Sequence, residues 1–105
     1  MQNRPENDTQ RTQTRRVLIS GTVQGVGYRD GFHRAALRFG VTGWVRNLRD
    51  GRVEAVIQGT SAALDSVIAW ARRGPSMARV AAVEEWPAEG EHARAHPDFM
   101  RLPTP

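Results

Sequence analysis

Cysteine and lysine are both absent from this 105-residue sequence. Without cysteine there is no disulfide framework, no thiolate nucleophile and no cysteine-based metal site. Without lysine there is no Schiff-base chemistry and no Walker-type phosphate lysine. No apolar run approaches the ~20 residues needed to span a membrane. Residues 1–14 are polar and lack the apolar core of a secretory signal, so they read as a disordered tail. A cytoplasmic protein with no membrane contact is therefore the expectation. The length allows one small domain, over residues 15–102, with a short tail at 103–105 and no room for a separate cofactor domain. All 15 basic residues are arginine, against 11 acidic residues, for a net charge of +4. That excess suits an anionic partner, but its even spread selects none.

Apolar spacing divides the chain into elements. Arg15–Thr22 reads as a strand, and its consecutive Val17, Leu18 and Ile19 suit a central position covered on part of both faces. Asp30–Phe39 reads as a helix, with Phe32, Ala35, Ala36 and Phe39 on one stripe and Gly40 as its stop. Val41–Asn47 and Val53–Gln58 form a hairpin across the Asp50-Gly51 turn. Ser61–Arg73 is a second helix, capped by Thr60 or Ser61, with Leu64, Val67, Ile68 and Ala71 on its apolar face. Ala78–Trp86 is a fourth strand, Pro87–Pro97 a polar loop, and Asp98–Arg101 a short strand at an edge. The order β-α-β-β-α-β is the split βαβ of a ferredoxin-like α+β sandwich. Two helices would cover one face of an antiparallel sheet and leave the other more open to water.

The segment Gly21-Thr22-Val23-Gln24-Gly25-Val26-Gly27-Tyr28-Arg29 joins the first strand to the first helix. A glycine-rich turn at a helix start can aim several backbone N–H groups at one centre, where the helix adds partial positive charge. Arg29 closes it with a permanent charge and a planar fork of donors that matches phosphate. Taken without their surroundings, Gly25 and Gly27 read equally well as tight-turn residues. Asn47 alone reads as a turn residue before the hairpin loop. A cation at a helix start is unfavourable unless an anion binds there, which favours the phosphate reading of Arg29.

This loop, followed by Gly43-Trp44-Val45-Arg46-Asn47 and then Asp50-Gly51-Arg52-Val53-Glu54, resembles the acylphosphatase family. That family carries a G-x-V-Q-G-V-x-[FY]-R loop, a G-W-V-x-N strand end and an N-x-x-D-G-x-V-E hairpin, in this order. The resemblance covers roughly Arg15 to Trp86. It departs at the C-terminus, where the family's longer F-x-x-[RY] strand is reduced to Phe99-Met100-Arg101. The resemblance implies that Arg29 and Asn47 are catalytic. It also implies metal-free and cofactor-free hydrolysis of acyl phosphates or carbamoyl phosphate by a monomer. Inorganic phosphate would then be both product and inhibitor.

The chemistry accounts for those residue types. An acyl phosphate is an activated anhydride with a good leaving group, so no protein nucleophile or metal is required. The protein must hold the phosphoryl group, balance its charge and aim a water in line. Arg29 and the amides of Val23, Gln24, Gly25, Val26, Gly27 and Tyr28 suit the first two tasks. Asn47, a very poor base, suits the third as an orienter of water.

The remaining candidates read more plainly. Trp44 suits sheet packing, Arg46 and Arg49 solvated hairpin charges, and His33 an exposed helix position. His92 and His96 have i, i+4 spacing, but Pro97 follows at once and no third ligand is evident. A non-catalytic RNA-binding module shares the topology, yet no segment fits the aromatic pattern such domains place on their central strands. A third reading, a carbamoyl-phosphate-handling domain of a larger enzyme, is set aside because no partner domains accompany the chain.

Overall fold

The run Val17-Leu18-Ile19 lies near the middle of a five-stranded sheet, and all three residues are buried. The computed structural model describes residues 11–105, so most of the expected N-terminal tail lies outside the described residues. The elements are β1 (Gln13–Thr22), α1 (Tyr28–Arg38), β2 (Thr42–Asn47), β3 (Val53–Gly59), α2 (Ser61–Arg73), β4 (Arg79–Pro87), a 3-10 turn (Gly90–Ala93) and β5 (Phe99–Arg101). β1 begins two residues earlier than expected, because Gln13 and Thr14 pair with Gly59 and Gln58 of β3.

The strand order is β4-β1-β3-β2-β5. The first four strands pair antiparallel, as the pattern predicts. β5 adds to the outer edge of β2 and runs parallel to it, with Val45 beside Arg101, so the whole sheet is mixed. Both helices pack on one face. Val17 and Ile19 of β1 and Val53, Ala55 and Ile57 of β3 meet Phe32 and Ala36 of α1 and Leu64, Val67, Ile68 and Ala71 of α2. The α2 boundaries are those the periodicity predicts, and Thr60 Oγ1 accepts from Ala63 N–H at its start.

Two expectations need correction. Phe39 leaves the α1 stripe: the helix ends at Arg38, the chain turns at Gly40, and the Phe39 ring is 36% exposed beneath the Arg38 guanidinium. The second sheet face is also less open than expected. Glu54, Val56 and Gln58 of β3 are buried there. Gln58 donates to Thr14 Oγ1 and to the Arg94 carbonyl and accepts from His96 N–H, so the segment after β4 is tied across the sheet. This use of His96, and the His92 ring lying 5.7 Å from that of Trp44, give both histidines packing roles. Trp44 also lies under the Arg46 guanidinium at 4.8 Å, as a sheet-packing residue would.

Candidate active site

Gly25 and Gly27 have φ of 76° and 79°, in the left-handed region that side chains with a Cβ rarely occupy. Gly27 is the N-cap of α1 and supplies no side-chain cap. The first intrahelical bond runs from Gly31 N–H to the Gly27 carbonyl, so the N–H groups of the first turn have no helical acceptor. A turn of this shape leaves donors and the positive end of the helix dipole facing the same space.

Beside this turn is a cavity of about 120 Å³ lined by Val23, Gly25, Gly27, Tyr28, Arg29, Asp30, Asn47 and Arg101. Arg29 comes from the first turn of α1 and Asn47 from the end of β2, so loop, helix and strand meet at one point. The Asn47 side-chain oxygen is buried and has no hydrogen-bond partner among the described residues. Leaving a buried acceptor unpaired costs roughly 1–3 kcal/mol. A bound molecule with a donor would remove that cost.

The predicted loop residues divide by function. Val23 and Tyr28 line the cavity, but their side chains are each 1% exposed and belong to the core. The Tyr28 hydroxyl donates to the Ala71 carbonyl at 2.8 Å, which pins the start of α1 to the end of α2. Burial pushes the Tyr28 phenol well above its ordinary pKa, so it stays a neutral donor. Val26 packs against the core. Gln24 does not line the cavity. Its amide donates to the carbonyls of Leu48 and Arg52, at 2.8 and 2.9 Å, and so ties the loop to the hairpin just beyond Asn47.

Two lining residues, Asp30 and Arg101, were not among those predicted to form the site. Asp30 Oδ2 accepts from Arg34 at 2.9 Å, and Asp30 Oδ1 lies 3.6 Å from Arg101 Nη1. Nothing in the sequence pattern singled out Arg101, since the F-x-x-[RY] ending counted from Phe99 falls on Leu102 and strand spacing did not show that β5 would lie beside β2. A larger cleft of about 500 Å³ between the helices reaches the loop only at Gly27. Among the described residues it holds no buried unpartnered polar atom, so we place the candidate site in the smaller cavity.

The acylphosphatase family model matches residues 15–100. The acylphosphatase of Rubrobacter xylanophilus is 54% identical over 77 residues, covering 71% of this chain and 70% of that protein. The acylphosphatase of Thiobacillus denitrificans is 49% identical over 80 residues, covering 76% and 90%. The solved structure of an acylphosphatase from Coxiella burnetii superposes with a TM-score of 0.80 at 31% identity, covering 87% of this chain and 93% of that one. The chain belongs to the acylphosphatase family: it is a hydrolase acting on acid anhydrides, and its substrates are acyl phosphates.

Proposed function

We propose that this protein cleaves the carboxyl–phosphate bond of acyl phosphates by in-line attack of a water that Asn47 orients. Arg29 and the amides of the loop from Val23 to Tyr28 hold the phosphoryl group. The observation that carries this reading is that Asn47, whose side-chain oxygen is buried without a partner among the described residues, lines one small cavity with Arg29 and the uncapped start of α1.

The water oxygen bonds to phosphorus as the bond from phosphorus to the acyl oxygen breaks. The bonding pair leaves with the acyl oxygen. RCO–O–PO₃²⁻ and H₂O thus become RCOO⁻ and H₂PO₄⁻. Asn47 accepts a hydrogen bond from the water and fixes its lone pair toward phosphorus; the proton passes to a phosphate oxygen. Preorganised donors around the phosphoryl oxygens follow the charge as it spreads in the transition state. The carboxylate is a good enough leaving group for the reaction to proceed without a metal. Carbamoyl phosphate offers the same phosphoryl group and fits the same cradle.

In this reading the working unit spans residues 15–102 and acts as a monomer in the cytoplasm, with inorganic phosphate competing for the cradle. The test is hydrolysis of benzoyl phosphate in chelator-treated buffer. The expected result is activity in the wild type, competitive inhibition by phosphate, and near-complete loss in Arg29→Ala and Asn47→Ala. A folded wild type without activity on any acyl phosphate would overturn the reading.

A further inference from the structure

The cavity has an inside and an outside. Asn47 Oδ1 is buried, whereas Asp30 and Arg101, on the same lining, have side chains 52% and 46% exposed. In-line displacement requires the attacking water and the departing oxygen to lie on opposite sides of phosphorus. With the water held inside by Asn47, the departing acyl oxygen faces outward, toward Asp30 and Arg101. A cavity of about 120 Å³ also has little room beyond a phosphoryl group, so the acyl body must leave through that mouth.

Arg101 is firmly placed and loosely paired. Its backbone pairs with Val45, and the next residue, Leu102, donates to the Val45 carbonyl at 2.9 Å. Its guanidinium lies 3.6 Å from Asp30, well beyond the ~2.7–2.9 Å of a charge-assisted hydrogen bond. Asp30 is engaged more closely with Arg34, at 2.9 Å. An arginine fork held beside the departing oxygen, with its counter-charge shared, is well suited to receive a carboxylate.

We propose that Arg101 is a third catalytic residue, which donates to the acyl oxygen as it departs, while Asp30 holds the guanidinium at the mouth until substrate arrives. This rests on the in-line reading above. It gives the two arginines separate tasks: Arg29 meets the phosphoryl group and Arg101 meets the developing carboxylate. Its help is greatest for substrates whose carboxylate leaves least readily.

The test is kcat/KM for acetyl phosphate and a series of substituted benzoyl phosphates, plotted against the pKa of the leaving acid. The proteins are the wild type, Arg101→Gln, Arg101→Lys, Asp30→Asn and the Asp30→Asn/Arg101→Gln double variant. Arg101→Gln should lose roughly tenfold on the poorest leaving groups and little on the best, so the slope steepens. Its inhibition constant for phosphate should change less than about threefold, and Arg101→Lys should restore part of the slope. Asp30→Asn should raise kcat/KM by about twofold or more, and that gain should vanish in the double variant. A loss of equal size for every leaving group, or a phosphate inhibition constant that rises in step with it, would overturn the proposal in favour of a structural or phosphate-binding arginine. A wild type inactive on the whole series would instead overturn the in-line reading beneath it.

Discussion

A single oxygen atom sets the character of the site. Asn47 Oδ1 is buried with no partner among the described residues, a cost that a ligand or water able to donate to it would offset. Asn47→Ala should therefore lower kcat by about 10²–10³, the typical effect of losing one preorganised hydrogen-bonding group. Thermal stability should not fall and should rise by up to about 1–3 kcal/mol, because the variant removes the cost of an unpaired buried acceptor; calorimetry alongside single-turnover kinetics reads both. Gln24→Ala should do the reverse. It removes a shared second donor from the Leu48 and Arg52 carbonyls, which keep the Gly51 and Leu48 N–H groups, and should cost about 0.5–1.5 kcal/mol in denaturant unfolding. A smaller loss of kcat should accompany it, because the hairpin carrying Asn47 is no longer tied to the loop.

At the scale of an element, the decisive piece is the start of α1. Gly27 caps it from the left-handed region without a side chain. Placing any other residue in that conformation costs roughly 1–2 kcal/mol. An added Cβ at Gly27 meets nothing within 4 Å, so the penalty of Gly27→Ala is conformational rather than steric. The variant should unfold about 1–2 kcal/mol more easily. If the loop holds phosphate as proposed, the variant's phosphate inhibition constant should also rise, because relaxing φ reorients the N–H groups of the loop. Tyr28→Phe probes the other end of the same device. It keeps the ring contacts with Phe32 and Trp70 but leaves the Ala71 carbonyl unpaired. A stability loss of about 1 kcal/mol is expected, with kcat little altered, since the hydroxyl points into the core.

Across the whole molecule, the sheet face opposite the helices is held by charge rather than by apolar packing alone. Glu54, 3% exposed on central β3, accepts from Arg16 Nε and Arg46 Nε, each at 2.8 Å. Burial by itself would raise the Glu54 carboxyl, but hydrogen bonds and charge from Arg46 and Arg16 outweigh it and hold the carboxyl below its ordinary value. A carboxyl with a lowered folded-state pKa stabilises the fold above its unfolded pKa, about 4.3, and loses that contribution as pH falls through the folded value. Glu54→Gln should thus be destabilised at pH 7 by an amount near or below the low end of the roughly 3–5 kcal/mol seen for broken buried pairs, because both arginines keep some contact with water. The difference in Tm from wild type should hold near neutral pH and shrink below about pH 4.3. A difference that is constant down to pH 3 would assign the effect to packing instead.

Local patterns settle within a few residues, and those were legible in the sequence. The 3.6-residue stripe fixed α2 to its end residues, Asp50-Gly51 placed the hairpin, and the loop from Gly21 to Arg29 carried its own geometry because glycine and a helix start are adjacent in the chain. Arg29 and Asn47, which the fold brings to one cavity, could be named as candidates for a related reason: each sits in a short contiguous segment with its own sequence pattern. Tertiary structure decided whatever depends on elements distant in sequence. Parallel pairing of three-residue β5 with β2 brings Arg101, 54 positions beyond Asn47, to the same cavity. Tyr28, equally at home in a phosphate loop or a core, turns its ring inward because α2 offers it an apolar wall and the Ala71 carbonyl. Gln24 likewise looks like a loop residue until the hairpin folds beneath it and presents two carbonyls. Sequence spacing encodes backbone shape over one or two turns; which side chains face a common space depends on how the sheet closes.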